Sequence, residues 1–123
     1  MTTQQVANRY YELIQKNLYE QIQNELYAPN AVSIEPENDS KLPLVVTGID
    51  ALRQKESLFF SQVEQMHSSY MSELVVSTFF FSMMTGMDVT MQGKPRKNKE
   101  QICVFEVRNG KIVKEQFFYD DFA

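Results

Sequence analysis

The sequence predicts an α+β fold in which helices come first and a run of antiparallel strands follows. Three observations carry that prediction. Apolar residues recur at helical spacing through most of the first half and at alternate positions from Met66 onward. The second stretch is rich in Val, Phe, Tyr and Thr, side chains that suit a pleated, half-buried surface. Turn residues then separate strand from strand, without the strand–helix alternation of a parallel sheet.

The elements follow in order. Thr2 and Gln5 have the spacing of a capping box, in which a hydroxyl and an amide three residues later satisfy the first free amides of a helix. Val6, Tyr10, Leu13 and Ile14 then fall on one helical stripe, and Leu18, Ile22 and Leu26 continue it at four-residue spacing. Pro29-Asn30 closes this region, because proline has no amide proton and disfavours helix at the residue before it. Residues 31–35 alternate Val32 and Ile34 with polar neighbours, giving a short strand that stops at Pro36, and residues 37–42 are a polar loop. Thr47, Gly48 and Asp50 supply start signals for a helix through Val63, with Ile49, Leu52, Phe59 and Val63 toward the core. Four strands are predicted at about 67–76, 79–91, 101–107 and 112–119, the last two turns marked by Gly93-Lys94-Pro95-Arg96 and Arg108-Asn109-Gly110.

The last turn decides which side chains share a face. A two-residue turn at Asn109-Gly110 pairs Arg108 with Lys111 and puts Val104 on the face of Glu115. A three-residue loop, with Gly110 left-handed in a bulge, puts Cys103, Phe105 and Val107 with Val113, Glu115, Phe117 and Tyr119. The second register makes one apolar face and avoids opposing two cations, so it is the one predicted. It sets Glu115 on the helix-covered face near Cys103, where a carboxylate must be paired, hydrogen-bonded or protonated. The alternative is that this face opens to solvent at Glu115.

Composition narrows the function. At 123 residues the chain is one domain, able to bury roughly two thirds of its unfolded surface. Twelve basic against sixteen acidic residues give a net charge of −4, which disfavours nucleic acid. A single Cys excludes an internal disulfide and a thiolate zinc cluster. A single His with scattered carboxylates shows no metal-ligand spacing, and no phosphate loop or serine elbow is present, so no cofactor or metal is expected. No secretory signal opens the chain and no apolar run approaches the ~20 residues of a membrane span, so the cytoplasm is expected. The basic run Lys94, Arg96, Lys97 and Lys99 lies on a turn without interleaved aromatics and reads as a solvated loop.

The order of elements, with Ile34-Glu35-Pro36 ending the short strand, Gly48-Ile49-Asp50-Ala51-Leu52 opening a helix and Asn109-Gly110-Lys111-Ile112 closing the sheet, resembles the SnoaL-like family of the nuclear transport factor 2-like superfamily. The likeness runs from about Val6 to Tyr119. It implies a cone: a strongly curved antiparallel sheet packed on the N-terminal helices, with a pocket between them, and commonly a homodimer through the outer sheet face. Members include ketosteroid isomerase, polyketide cyclases, dehydratases and transport factors. Ketosteroid isomerase uses an Asp base with an oxyanion hole of a Tyr and a protonated Asp. Carried over, the helix tyrosine falls on Tyr10, the base on Glu35 and the oxyanion-hole aspartate near Cys103. A thiol donates hydrogen bonds weakly, which departs from the isomerase pattern.

The candidate catalytic residues are therefore Glu35, Tyr10 and Glu115. Glu35 is either a general base or a strand-end carboxylate in water, and Tyr10 either a donor in the cavity or a core tyrosine. His67, Cys103, Phe105, Phe117 and Tyr119 are candidate ligand-binding residues. His67 lines a pocket rim or bonds to backbone at a sheet edge, and Cys103 reads as a buried, inert thiol. Met83, Met84, Met87 and Met91 line a cavity, meet a partner or simply fill the core. Three function classes remain: an enzyme moving protons on a small, largely apolar carbonyl compound, of isomerase, cyclase or dehydratase type; a non-catalytic pocket for a small apolar molecule; and a dimeric scaffold. The fold alone does not choose among them.

Overall fold

The computed structural model describes residues 1–120. Helix α1 (Thr3–Ile14) begins in the expected capping box: Thr2 accepts from the Gln5 amide while the Gln5 side chain accepts from the Thr2 amide. Helix α2 (Tyr19–Leu26) leads directly into strand β1 (Tyr27–Ile34). A short β2 (Val45–Thr47) precedes α3 (Ile49–Ser61), and β3 (Val63–Met71), β4 (Val75–Val76), β5 (Phe80–Met91), β6 (Lys97–Arg108) and β7 (Lys111–Phe118) complete the chain. The sheet order is β2-β1-β7-β6-β5-β3, with β4 paired to β5.

Several boundaries differ from the sequence reading. Strand β1 starts four residues earlier than predicted and contains Pro29, which lies in an irregular stretch where the β1–β7 register shifts and its missing amide costs no ladder bond. The helix predicted through Val63 stops at Ser61, and the strand predicted at 67–76 divides into β3 and β4. The sheet is mixed, because β1 runs parallel to β7 while its other pairings are antiparallel. That contact joins the helical half to the last strand.

The final hairpin reaches the predicted face by a different route. Asn109 and Gly110 both take positive φ, 51° and 74°, and Arg108 pairs with Lys111, so the connection is the two-residue turn. A bulge then follows: Val107 pairs with Ile112 but Glu106 pairs with Lys114, leaving Val113 extra. Beyond the bulge Phe105 opposes Glu115 and Cys103 opposes Phe117, two residues from the predicted pairing but with the same side chains on the inner face. Ile112, not Val113, is the buried residue beside Val107.

One sheet face carries the core. Val6, Ala7 and Leu13 of α1 and Ile22 and Leu26 of α2 pack with Phe81, Met83, Cys103, Phe105 and Ile112. Phe81 and Phe105 stack at 4.7 Å between centroids, and Tyr10 tilts onto Phe105 at 4.8 Å. Such ring pairs add about 0.5–1.5 kcal/mol each beyond their buried area. On the opposite face Tyr70 lies over Gly86, where an added Cβ would come within 2.1 Å of its ring. No helix among the described residues is long and apolar enough to cross a membrane.

Candidate functional site

A chain of buried polar side chains runs beneath α3, between β1 and β7. On β1 the alternation places Ala31, Ser33 and then Glu35 on the inner face, so the polar members of the strand point inward while Val32 and Ile34 are only half-buried. Ser33 pairs with Glu115 across the parallel β1–β7 ladder. From above, α3 presents Leu52, Lys55, Glu56 and Phe59 at helical spacing, which drops Lys55 onto the pair.

The hydrogen bonds are continuous. The Tyr27 hydroxyl donates to Glu115 Oε1, and Ser33 Oγ donates to Glu115 Oε2 at 2.6 Å. Lys55 Nζ donates to Ser33 Oγ and to Glu35 Oε2, the latter at 2.7 Å, and lies 5.2 Å from the centroid of the Phe117 ring. The Tyr119 hydroxyl donates to Glu35 Oε1 at 2.7 Å. Lys55, Glu35 and Glu115 are only 7%, 8% and 9% exposed, so each depends on these partners in place of water. Every oxygen of both carboxyl groups accepts a bond, and among the described residues no buried side-chain N or O is left without one.

The two carboxyl groups differ in their nearest charge. Glu35 touches the Lys55 ammonium and is neutralised by it. Glu115 is reached by hydroxyls, and Lys55 acts on it from one residue further away, through Ser33. Burial pushes its pKa up; the bonds from Ser33 and Tyr27 and the charge of Lys55 work against that, and the charge of Glu35 adds to it. Burial likewise holds the Tyr27 and Tyr10 hydroxyls well above the ordinary tyrosine value, with the Glu115 charge adding to both. The site therefore holds one carboxyl with raised proton affinity among tyrosines that stay protonated, an arrangement suited to general acid–base work.

The sequence-predicted residues divide accordingly. Glu35, Glu115 and Tyr119 belong to the chain, and Phe117 lies under its lysine. Tyr10 stands beside it, held on Phe105 and Phe81, within reach of the charge of Glu115 but outside the chain's hydrogen bonds. Cys103 is buried, contacts Thr85 at 3.8 Å, and has its thiol pushed up to about 12 by burial, so it is unsuited to act as a thiolate nucleophile. His67 is bound instead to Thr90 Oγ1 at 2.8 Å on the β3–β5 ladder. Among the described residues no His, Cys, Asp and Glu side chains gather in a group that could hold a metal. Tyr27, Ser33 and Lys55 were not found from sequence. The signal for Lys55 was present, since it sits three residues after Leu52 and four before Phe59 on the predicted core stripe.

A cleft of about 520 Å³ opens beside this chain, lined by Asn17, Leu18, Tyr19, Glu20, Gln21, Asn24 and Glu56. A second recess of about 370 Å³ lies over Asn8, Tyr11, Glu73 and Leu74.

Helices packed on one face of a mixed sheet in this order give the α+β fold of nuclear transport factor 2-like proteins. Within that class the chain belongs to the SnoaL-like domain family, whose pattern it matches over residues 1–119. It is similar to the structure of a SnoaL-like polyketide cyclase candidate, alternatively called a carbohydrate phosphatase, from Mesorhizobium loti, at 26% identity over 97% of this chain and 100% of that one, with a TM-score of 0.86. A nuclear transport factor 2-like protein of Burkholderia thailandensis shares the fold at 14% identity, TM-score 0.81, over 98% of this chain and 92% of that one. So does a cystatin-like protein of unknown function from Xanthomonas campestris, at 15% identity, TM-score 0.80, over 98% and 92%. No protein of curated function matches the chain significantly.

Proposed function

We propose that this protein moves a proton on a small, largely apolar carbonyl compound, in isomerase- or cyclase-type chemistry, with Glu115 as the base. The observation that carries the reading is a buried carboxyl group of raised proton affinity, oriented by two hydroxyls and touched directly by no cation. In the step, a C–H bond next to the carbonyl breaks, its proton goes to a Glu115 oxygen, and the electron pair moves onto the carbonyl oxygen. Tyr10, whose hydroxyl takes no part in the buried chain, donates a hydrogen bond to that oxygen. Return of the proton to another carbon completes an isomerisation; attack of the enolate carbon on a second carbonyl, with the proton passing from Glu115 to the new alkoxide, completes a cyclisation. Lys55 neutralises Glu35 and holds Ser33 against Glu115, so Glu35 and Lys55 position the base. The likeness to the Mesorhizobium loti cyclase candidate supports this class of chemistry.

The test is exchange of the α-protons of 2-tetralone in deuterium oxide, followed by proton nuclear magnetic resonance. The protein is expected to accelerate exchange by about 10²-fold or more over buffer, a usual contribution of a positioned base. Glu115→Gln removes the acceleration, and Tyr10→Phe reduces it without removing it. Exchange no faster than in buffer would sink the reading and leave ligand binding without catalysis as the function.

The same reading includes a homodimer through the outer sheet face. Phe80, Ile102 and Phe118 are 41%, 46% and 48% exposed there, and Glu106 with Lys114 sets both signs of charge beside them. A second copy related by a two-fold axis can cover the apolar residues and match cation to carboxylate.

A further inference from the structure

The cleft beside α2 and α3 has the makings of a binding site that the buried chain alone does not explain. Its volume of about 520 Å³ falls within the range usual for small-molecule sites. Leu18, 38% exposed, and Tyr19 give it an apolar side, and outside the cleft Tyr19 tilts onto the 41% exposed Phe60 at 5.7 Å between centroids. Its wall is polar, made of Asn17, Gln21, Asn24 and the half-buried Glu56.

We propose that this cleft binds a flat, uncharged, hydroxyl-bearing aromatic compound, with Tyr19, backed by Phe60, against the ring and the Glu56 carboxyl accepting its hydroxyl. This goes beyond the acid–base reading to a second binding site, and its binding test is separate from the exchange test of that reading.

Glu56 is held lightly, by a single 3.3 Å bond from Gln23, which leaves its remaining acceptor positions for a ligand donor. The adjacent cation is already committed. Arg53 donates to Gln23 Oε1 at 2.8 Å and to Asn24 Oδ1 at 2.6 Å, so two of its donors brace the wall. The groups that act on Glu56 come from every side: Tyr19 and Gln23 of α2, Arg53 and Lys55 of α3, Tyr10 of α1, Tyr27 of β1 and Glu115 of β7. Burial and the Glu115 charge raise its pKa, while Arg53 and Lys55 oppose this. With Glu20 also on the wall, an anionic ligand would meet two carboxylates in the cleft and a third behind them. An uncharged aromatic meets none of that cost and gains ring contacts.

The experiment compares 2-naphthol with 2-naphthoate, one uncharged and one anionic at pH 7 with the same ring, by amide chemical-shift titration of the full chain. Shifts are expected in residues 17–24 and 53–60, with naphthol binding at least about tenfold more tightly. In Glu56→Gln the preference falls to within about threefold. In Phe60→Ala, at an exposed position, both probes weaken together and the preference is kept. Equal binding of the two probes, shifts that map away from α2 and α3, or a preference that survives Glu56→Gln would each overturn the proposal.

Discussion

Glu115 illustrates how far a single residue determines what this protein can do. Its raised pKa means that the folded chain binds that proton more tightly than the unfolded chain, and the same holds for Glu56. The stabilisation is fully present below the ordinary value of 4.5 and is lost as pH rises through the folded pKa. Thermal unfolding followed from pH 4.5 upward should therefore show a falling melting temperature, and Glu115→Gln, which cannot ionise, should fall less. A wild-type melting temperature that climbs in step with the variant's would contradict this. Glu25 works in the opposite sense: bonds from Arg9 and then Gln21 lower it to about 2, so its contribution is present above 4.5 and fades as pH drops toward 2. The inward placement of Glu115 was legible from sequence, because a hydrophobic alternation on both strands of a hairpin surrounds it. Ser33 was not, since a serine flanked by Val32 and Ile34 reads as the solvent side of a strand. Its burial rests on two partners far from it in sequence, Glu115, which accepts from its hydroxyl, and Lys55, which reaches down from α3 to donate to it.

At the level of elements, α3 is fastened to the sheet by charge as well as by apolar contact. Lys55 carries the helix's side of that joint and Glu35 with Ser33 carry the strand's. Replacing Lys55 with Met leaves the buried Glu35 without its cation and is expected to cost about 3–5 kcal/mol in urea unfolding. Changing Glu35 to Gln in the same chain removes the stranded charge and should recover much of the loss, and a double variant no more stable than Lys55→Met would show that the pair is not coupled. The closing hairpin shows why the elements were easier to place than their details. Asn109-Gly110 marks a turn in sequence, and the requirement for one apolar face fixes which side Glu115 takes. Nothing in residues 104–115 announces that the register would be set by a bulge at Val113 and not by a longer loop, because both give the same face. The early start of β1 had a similar cause: Pro29 breaks a helix but is tolerated where the ladder is already irregular.

For the whole molecule, the sheet has two apolar faces and only one is covered by helices. If a second copy covers the other, sedimentation at micromolar concentration should give twice the 14.4 kDa chain mass. Ile102→Lys, at the centre of that face, should shift the protein to the monomer while leaving the helix-covered core intact. A monomeric wild type would remove the dimer. The parallel contact of β1 with β7 was the part of the architecture least open to sequence reading. It is made between segments about eighty positions apart, and no local periodicity records which strands become neighbours.

That contact also sets an order of events. Lys55, Ser33 and Glu35 have all left the ribosome long before Glu115 and Tyr119, which lie within the last few residues of the described chain. Until those two arrive, Ser33 lacks its acceptor and Glu35 one of its donors, so the polar interior of the nascent chain has every reason to stay wet and open. Closure of the sheet by β7, completion of the hydrogen-bonded chain and expulsion of water thus fall together. The protein becomes able to hold a proton in its interior only when it has finished folding around it.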